Sequence, residues 1–202
     1  MIVGNRTVFA IESEILHAFS APSLMGIGYF AIHINGLSYG VVKEDATMLA
    51  CSLHEVENRL NLMGKHEFTL LETCDSLTMI KAIRDGLYLN YDEGAMYFGI
   101  PSLQFAEQIY AKNIIWAPDG DEAFDDSSYV LQFDLGGQVR LIGFKCSNDP
   151  YIDNGTLSDV VLDADLYYGI LRDWRDSFMK EWQRLPKDLY PLGGKDSQKR
   201  DM

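Results

Sequence analysis

Along the first third of the chain, apolar and polar residues alternate with a period of two, which places successive side chains on opposite faces of a strand. Over Thr7–Leu16, Phe9, Ile11 and Ile15 share one face while Glu12 and Glu14 take the other. Over Gly26–Ile34, Phe30, Ile32 and Ile34 oppose Tyr29 and His33. Asn35-Gly36 follows at once, a pair that tolerates positive φ and marks a tight hairpin, and Leu37–Val42 is the returning strand. The period then changes. Leu49, Leu53, Val56, Leu60 and Met63 keep helical spacing across Thr47–Met63, with Ser52 and Glu55 as an internal capping box. A second helix starts after Asp75, carries Leu77, Ile80, Ile83 and Leu87, and stops around Gly86. Tyr88–Ile100 is Gly- and Tyr-rich and predicts irregular structure; Ser102 then caps a short third helix with Leu103, Ala106, Ile109 and Tyr110.

Strand periodicity returns in the last third. Ile114–Ala117 is short and apolar, and Ser128–Leu135 places Tyr129, Leu131, Phe133 and Leu135 on one face. Gly136-Gly137 is a hairpin turn into Gln138–Cys146, where Val139, Leu141 and Gly143 oppose Ile142 and Phe144, and Leu157–Leu162 is a further strand. Asp163 caps a long amphipathic helix over Ala164–Leu185, with Leu166, Ile170, Trp174, Phe178 and Trp182 every fourth residue. The element order predicts an α+β class with mainly antiparallel sheet, an N-terminal meander plus a C-terminal hairpin, packed with three to four helices. A single domain is expected over 1–186, and a flexible tail over 187–202, which is polar and contains glycine.

Composition narrows what such a domain does. At 202 residues and 47% hydrophobic the chain is able to bury a sizeable core. Its net charge of −13 argues against unaided binding to nucleic acid or to an anionic membrane, both polyanions, and suits a basic protein partner. Cys51, Cys74 and Cys146 are isolated and odd in number, which favours a reducing compartment; each falls in a predicted core element or at its edge, so burial is expected to outweigh reactivity. The N-terminus lacks the basic flank and apolar core of a signal peptide, and no apolar stretch reaches the ~18–20 residues that span a bilayer. Without a secretion signal, Asn5-Arg6-Thr7 and Asn154-Gly155-Thr156 are chance glycosylation sequons. The expected location is the cytoplasm.

Candidate chemistry concentrates between two strands, in the exposed run PDGDEAFDDSS, where Asp119, Asp121, Glu122, Asp125 and Asp126 surround Phe124. As a calcium loop starting at Asp119 it places Ala123 and Phe124 where an oxygen ligand and the turn glycine belong. His17, His33, His54 and His66 are scattered, without the spacing of a transition-metal site; His33 is expected to be packed or hydrogen-bonded within its strand, and His54 solvated. No nucleophile elbow, phosphate loop or dinucleotide fingerprint is present. Paired carboxylates in glycosidase-type work need one desolvated acid, which an exposed acidic turn does not supply. A solvated turn and a recognition surface remain open. From Asp119 to Asp165 there are 11 acidic and two basic residues, a net of −9, against −6 over the longer stretch Met1–Lys112. Such crowding costs stability through self-repulsion, which favours a use for it. Phe124, Tyr129 and Tyr151 lie among these acids as aromatics do within the polar rim of an interface.

Several segments together resemble the immunity protein 42 family, small bacterial proteins encoded beside polymorphic toxins. They are MIVGN followed by FAIESEI, then GYFAIHINGLSYG, GDEAFDDSSYVLQFD with QVRLIGFK, and DVVLDADLYYGIL. The likeness runs from Met1 to about Trp182 and is weakest over Cys51–Ile114. Its most specific part is Gly120, Glu122, Ala123, Phe124 and Asp125; the family pattern continues with glycine and tryptophan where this chain has Asp126 and Ser127. The resemblance implies a non-enzymatic cytoplasmic protein, without cofactor, that neutralises a cognate toxin C-terminal domain delivered by contact-dependent inhibition or a related secretion route. Charge, not family, suggests a basic toxin such as a nuclease. The expected toxin-binding residues are Asp119, Asp121, Glu122, Phe124, Asp125, Asp126, Tyr129, Tyr151 and Asp153. The alternatives are a carboxylate-based metal-dependent hydrolase, and an adaptor that docks a partner on its C-terminal helix.

Overall fold

A computed structural model describes residues 1–72, 74–89, 94–118, 121–148 and 151–188, with the backbone alone at 71, 72, 147, 148 and 151. The chain opens with β1 (Ile2–Asn5), β2 (Phe9–Ala18), β3 (Gly26–Ile34) and β4 (Leu37–Tyr39), neighbours in that order, while the two-residue β5 (Thr47–Met48) pairs with the start of β3. Asn35 and Gly36 both take positive φ, 51° and 82°, which gives the β3–β4 hairpin its tight turn. Then come α1 (Leu49–Asn61), α2 (Thr69–Glu72), α3 (Ser76–Arg84) with a π-helical turn at Asp85–Leu89, a ribbon of β6 (Met96–Tyr97) and β7 (Ile100–Pro101), and α4 (Ser102–Ala111). The second sheet is built from β8 (Ile115–Ala117), β9 (Ser128–Asp134), β10 (Gln138–Asn148) and β11 (Tyr151–Asp163), in the order β11-β10-β9-β8, and α5 (Ala164–Arg184) closes the domain.

The expected α+β architecture with antiparallel sheets and a long C-terminal helix is the one observed. Several local expectations are corrected. α1 starts at Leu49 with Met48 at its N-cap position and no side-chain cap, so Ser52 lies inside the helix and not in a capping box. Ser102 is the first residue of α4 and Pro101 holds the cap position. α3 does not stop at Gly86 but widens into the π-helical turn, and Tyr88–Ile100, of which 90–93 lie outside the described residues, carries β6 and the first residue of β7. On α5, Leu166 faces outward at 51% exposure, while Tyr167, Tyr168 and Leu171 join Ile170, Trp174 and Phe178 in the core. Trp174 is fully buried, stacked on Phe178 and bonded through Nε1 to Ser13 Oγ at 2.9 Å, which removes the surface that the adaptor alternative needs. The expected tail is described only at Lys187 and Asp188; there the Asp188 N–H donates to the Ala18 carbonyl at 2.7 Å.

Both faces of the second sheet are buried. Val130, Val139 and Leu141 point to the core shared with the first sheet, α1 and α5. Leu131, Phe133, Ile142 and Phe144 point to a second core closed by α3, the π-helical turn and α4. The polar positions of β9 therefore turn inward, and they meet a cation. Arg59, fully buried, donates to Gln132 Oε1 (2.9 Å) and to the Ile115 and Asn113 carbonyls (2.7 and 3.2 Å). It also pairs with Glu55 at 2.9 Å and lies 4.8 Å over the Trp116 ring. Tyr167 donates to Gln132 Oε1, and Tyr168 to Asp134 Oδ1. Asp134 also accepts from the His66 N–H.

His66 belongs to this network and gives it a pH dependence. Burial, reinforced by the Arg59 cation, holds the imidazole below its ordinary 6.5, against the opposing pull of Asp134. As pH falls through 6.5 the unfolded chain takes up a proton that the folded chain resists, so stability falls as pH drops; well above 6.5 both states are neutral at this group and it contributes no pH dependence. One titrating group sets an upper limit of about 1.4 kcal/mol per pH unit on that slope. Urea midpoints at pH 7.5 and 5.5 measure it, and equal slopes in wild type and His66→Gln would show the assignment to be wrong.

Candidate functional site

The acidic run lies between β8 and β9, after a cis Ala117–Pro118 bond, and is fixed from below. Asp119 and Gly120 fall outside the described residues. Asp121 is the anchor. Its carboxylate accepts from Thr47 Oγ1 (2.8 Å), Ser52 Oγ (2.7 Å) and the Ala123 N–H (2.9 Å), capping a single 3-10 turn at Glu122–Phe124. Both hydroxyl donors are buried, so the carboxylate satisfies groups that water does not reach. Phe124 is buried with its ring edge-on to Phe30 at 6.2 Å, and the Ala123 carbonyl accepts from the Val41 N–H at 2.7 Å. The turn is thus tied to β5, α1, β3 and the segment after β4.

What the anchors leave outside is Glu122 and Asp125, both exposed. With Asp126, the 40–43 segment and Ala46 they line a cleft of about 480 Å3 whose apolar wall includes the exposed Val42. Asp126 accepts from the Ser128 N–H at 3.2 Å and forms an ion pair with Lys145 at 2.5 Å. Lys145 is the register partner of Asp153 on β11, so Asp153 stands at the same end of the second sheet as the acidic turn. Asp153 is exposed and its carboxylate accepts from the Gly155 N–H at 3.0 Å. Tyr129 is placed elsewhere. It stacks on Phe144 at 4.8 Å, with the Arg84 guanidinium 5.8 Å from its ring, on the face of the sheet that closes the second core. The Tyr151 side chain lies outside the described residues.

The structure therefore divides residues that sequence grouped together. Asp121 and Phe124 hold the turn, and Glu122, Asp125, Asp126 and Asp153 share one acidic end. Sequence reasoning missed Thr47, Ser52 and Val41, the partners that fix the turn, because they lie more than 65 residues away in the chain. It also placed Cys51 in the core, whereas that residue is exposed on α1. Partial desolvation, then Asp121 and Glu122, push its thiol up, away from the reactive thiolate. His33, as expected, is hydrogen-bonded, to Glu12 at 2.8 Å, and His54 is exposed. Among the described residues no three His, Cys, Asp or Glu side chains converge as metal ligands. None of the described helices is long and apolar enough to cross a membrane.

Comparison with known proteins places this architecture. A crystal structure of CdiI from Burkholderia dolosa AUO158 superposes with a TM-score of 0.58 over 88% of this chain and 99% of that one, at 16% identity, a likeness of fold. Comparison with curated proteins returns no match. The sequence profile described as immunity protein 42 matches residues 1–177, which takes in both sheets, the acidic turn and most of α5. The chain belongs to the immunity protein 42 family.

Proposed function

We propose that this protein is a non-enzymatic immunity protein that binds a cognate bacterial toxin domain in contact-dependent inhibition and holds it inactive. Family membership over residues 1–177 carries the immunity role, and the CdiI fold likeness supports the setting. The contact surface is assigned to Glu122 and Asp125 at the cleft, with Asp126 and Asp153 beside them, because the first three carboxylates sit on a turn already pinned by Asp121 and Phe124 and Asp153 stands at the same end of the second sheet. A pre-organised acidic rim spends little ordering entropy on binding and accelerates encounter with a basic surface. The toxin it fits is basic at its active site or close beside it, as a nuclease that holds phosphates is.

The test uses the cognate toxin C-terminal domain, which this reading expects to be encoded beside the gene. Wild type is expected to protect cells that co-express that domain, with an association rate that falls as salt is raised. Glu122→Lys/Asp125→Lys is expected to slow association about tenfold or more at low salt while leaving the melting temperature unchanged. Asp121→Asn is expected to do the reverse in kind, lowering stability by about 1–3 kcal/mol through the loss of its charge-assisted bonds. An association rate indifferent both to salt and to the double reversal would remove this surface from the contact.

A further inference from the structure

Among the described residues β11 is an edge strand, paired on one side only. Leu135 donates its N–H to the Gln138 carbonyl at the closing pair of the β9–β10 hairpin (2.8 Å), which sets the phase of the ladder. Gln138, Arg140 and Ile142 then turn their peptide groups towards β9, and Val139, Leu141 and Gly143 turn theirs towards β11. The register partners of the latter three are Leu162, Val160 and Ser158, which face back to β10. Leu157, Asp159 and Val161 consequently direct their N–H and C=O groups away from the sheet. Among the described residues no backbone group meets them.

Edges of this kind are ordinarily blunted by brevity, lysine, proline or a bulge. β11 runs for 13 residues with no Lys, Arg or Pro, and its register shifts fall opposite the Gly143–Asn148 half of β10. The ladder is regular from Ser158 to Asp163, and Val161 on it is 46% exposed. Charge selects the occupant. Asp159 is answered by Arg140 at 2.7 Å, but Asp153, Asp163 and Asp165 flank the edge with no cation from the strand itself. A second copy of the chain, also at −13, would bring the same acids against them.

We infer that the Leu157–Asp163 edge of β11 receives an extended, cationic segment of the toxin as a fifth strand of the four-stranded second sheet. This rests on the toxin-binding role proposed above and adds a second contact to it. Main-chain bonds to Leu157, Asp159 and Val161 supply affinity independent of side-chain identity, while Lys or Arg at alternating positions of the incoming segment meets the flanking carboxylates.

The probe is the same cognate toxin C-terminal domain, added to the whole 202-residue chain. On binding, the amides of Leu157, Asp159 and Val161 are expected to exchange at least about tenfold more slowly. Val161→Pro removes one outward N–H and no bond to β10, and is expected to weaken toxin binding about tenfold. If toxin binds and is neutralised while these amides exchange as before, the edge is not the contact and the immunity role stands. If wild type does not bind toxin at all, both fail. Protection that appears without toxin and grows with protein concentration would assign the edge to a second copy and overturn the proposal. The exchange measurement on wild type decides the matter even if the proline variant does not fold.

Discussion

Replacing Arg59 with alanine is expected to cost about 3–5 kcal/mol of folding stability, the range for breaking a buried ion pair from one side. The guanidinium is fully buried and serves three acceptors at once, the Gln132 side chain and the Ile115 and Asn113 carbonyls, as well as the Glu55 carboxylate. Its removal takes a donor from the Asn113 and Ile115 carbonyls at the start of β8 and leaves a partly buried carboxylate without its counter-charge. For a domain of this size the melting temperature is expected to fall by roughly 10 °C. Urea denaturation measures the loss directly, as a lower midpoint at an unchanged slope. The same account predicts that Arg59→Met combined with Glu55→Gln recovers part of it, because the stranded carboxylate goes too. A single Arg59→Ala variant within 1 kcal/mol of wild type, roughly a surface-level effect, would mean that the network is not held by its cation.

The second large effect is expected at Gly143, where the two sheets meet. A Cβ built there lies 2.4 Å from Tyr39 Cζ and 2.5 Å from Cε2, far inside van der Waals contact. Tyr39 has no room to retreat: it is fully buried, and its hydroxyl donates to the Thr156 carbonyl at 2.8 Å. Gly143→Ala is therefore expected to destabilise by about 3 kcal/mol through overpacking. The clash is specific to one ring, so a double-mutant cycle isolates it. In a Tyr39→Leu background, itself destabilised by the lost ring and hydrogen bond, the added methyl is expected to cost under about 1 kcal/mol. Strict additivity of the two substitutions would show that Gly143 is needed for its backbone and not for the space it leaves.

Much of the fold was legible because local patterns and tertiary demands agree. The Gly26–Ile34 strand, the Asn35-Gly36 turn and the Asp163 cap are observed where periodicity and turn chemistry place them. Failures occur where an element is buried on both sides. Gln132 and Asp134 alternate with Leu131 and Phe133 as the wet face of a half-exposed strand would, yet they are buried against Arg59, Tyr167 and Tyr168. Alternation reveals that two faces differ, and not that one of them is solvated. Leu166 failed for a related reason: a period of four drifts off a helix with 3.6 residues per turn, so the first member of the stripe has left the buried face by α5's start. At the acidic turn, charge density was legible from composition alone. The separation of Asp121 from Glu122 and Asp125 was not, since it depends on Thr47 and Ser52 arriving from elsewhere in the fold.

That separation has a consequence for how such a protein changes over time. Adjacent residues of one turn carry different obligations: Asp121 answers to the interior, while Glu122 and Asp125 answer only to whatever approaches from outside. Substitutions at the outward pair are nearly free of folding cost, as exposed positions generally are. On the contact proposed above, a lineage facing an altered toxin revises this outward pair one residue at a time while the support beneath it stays constant.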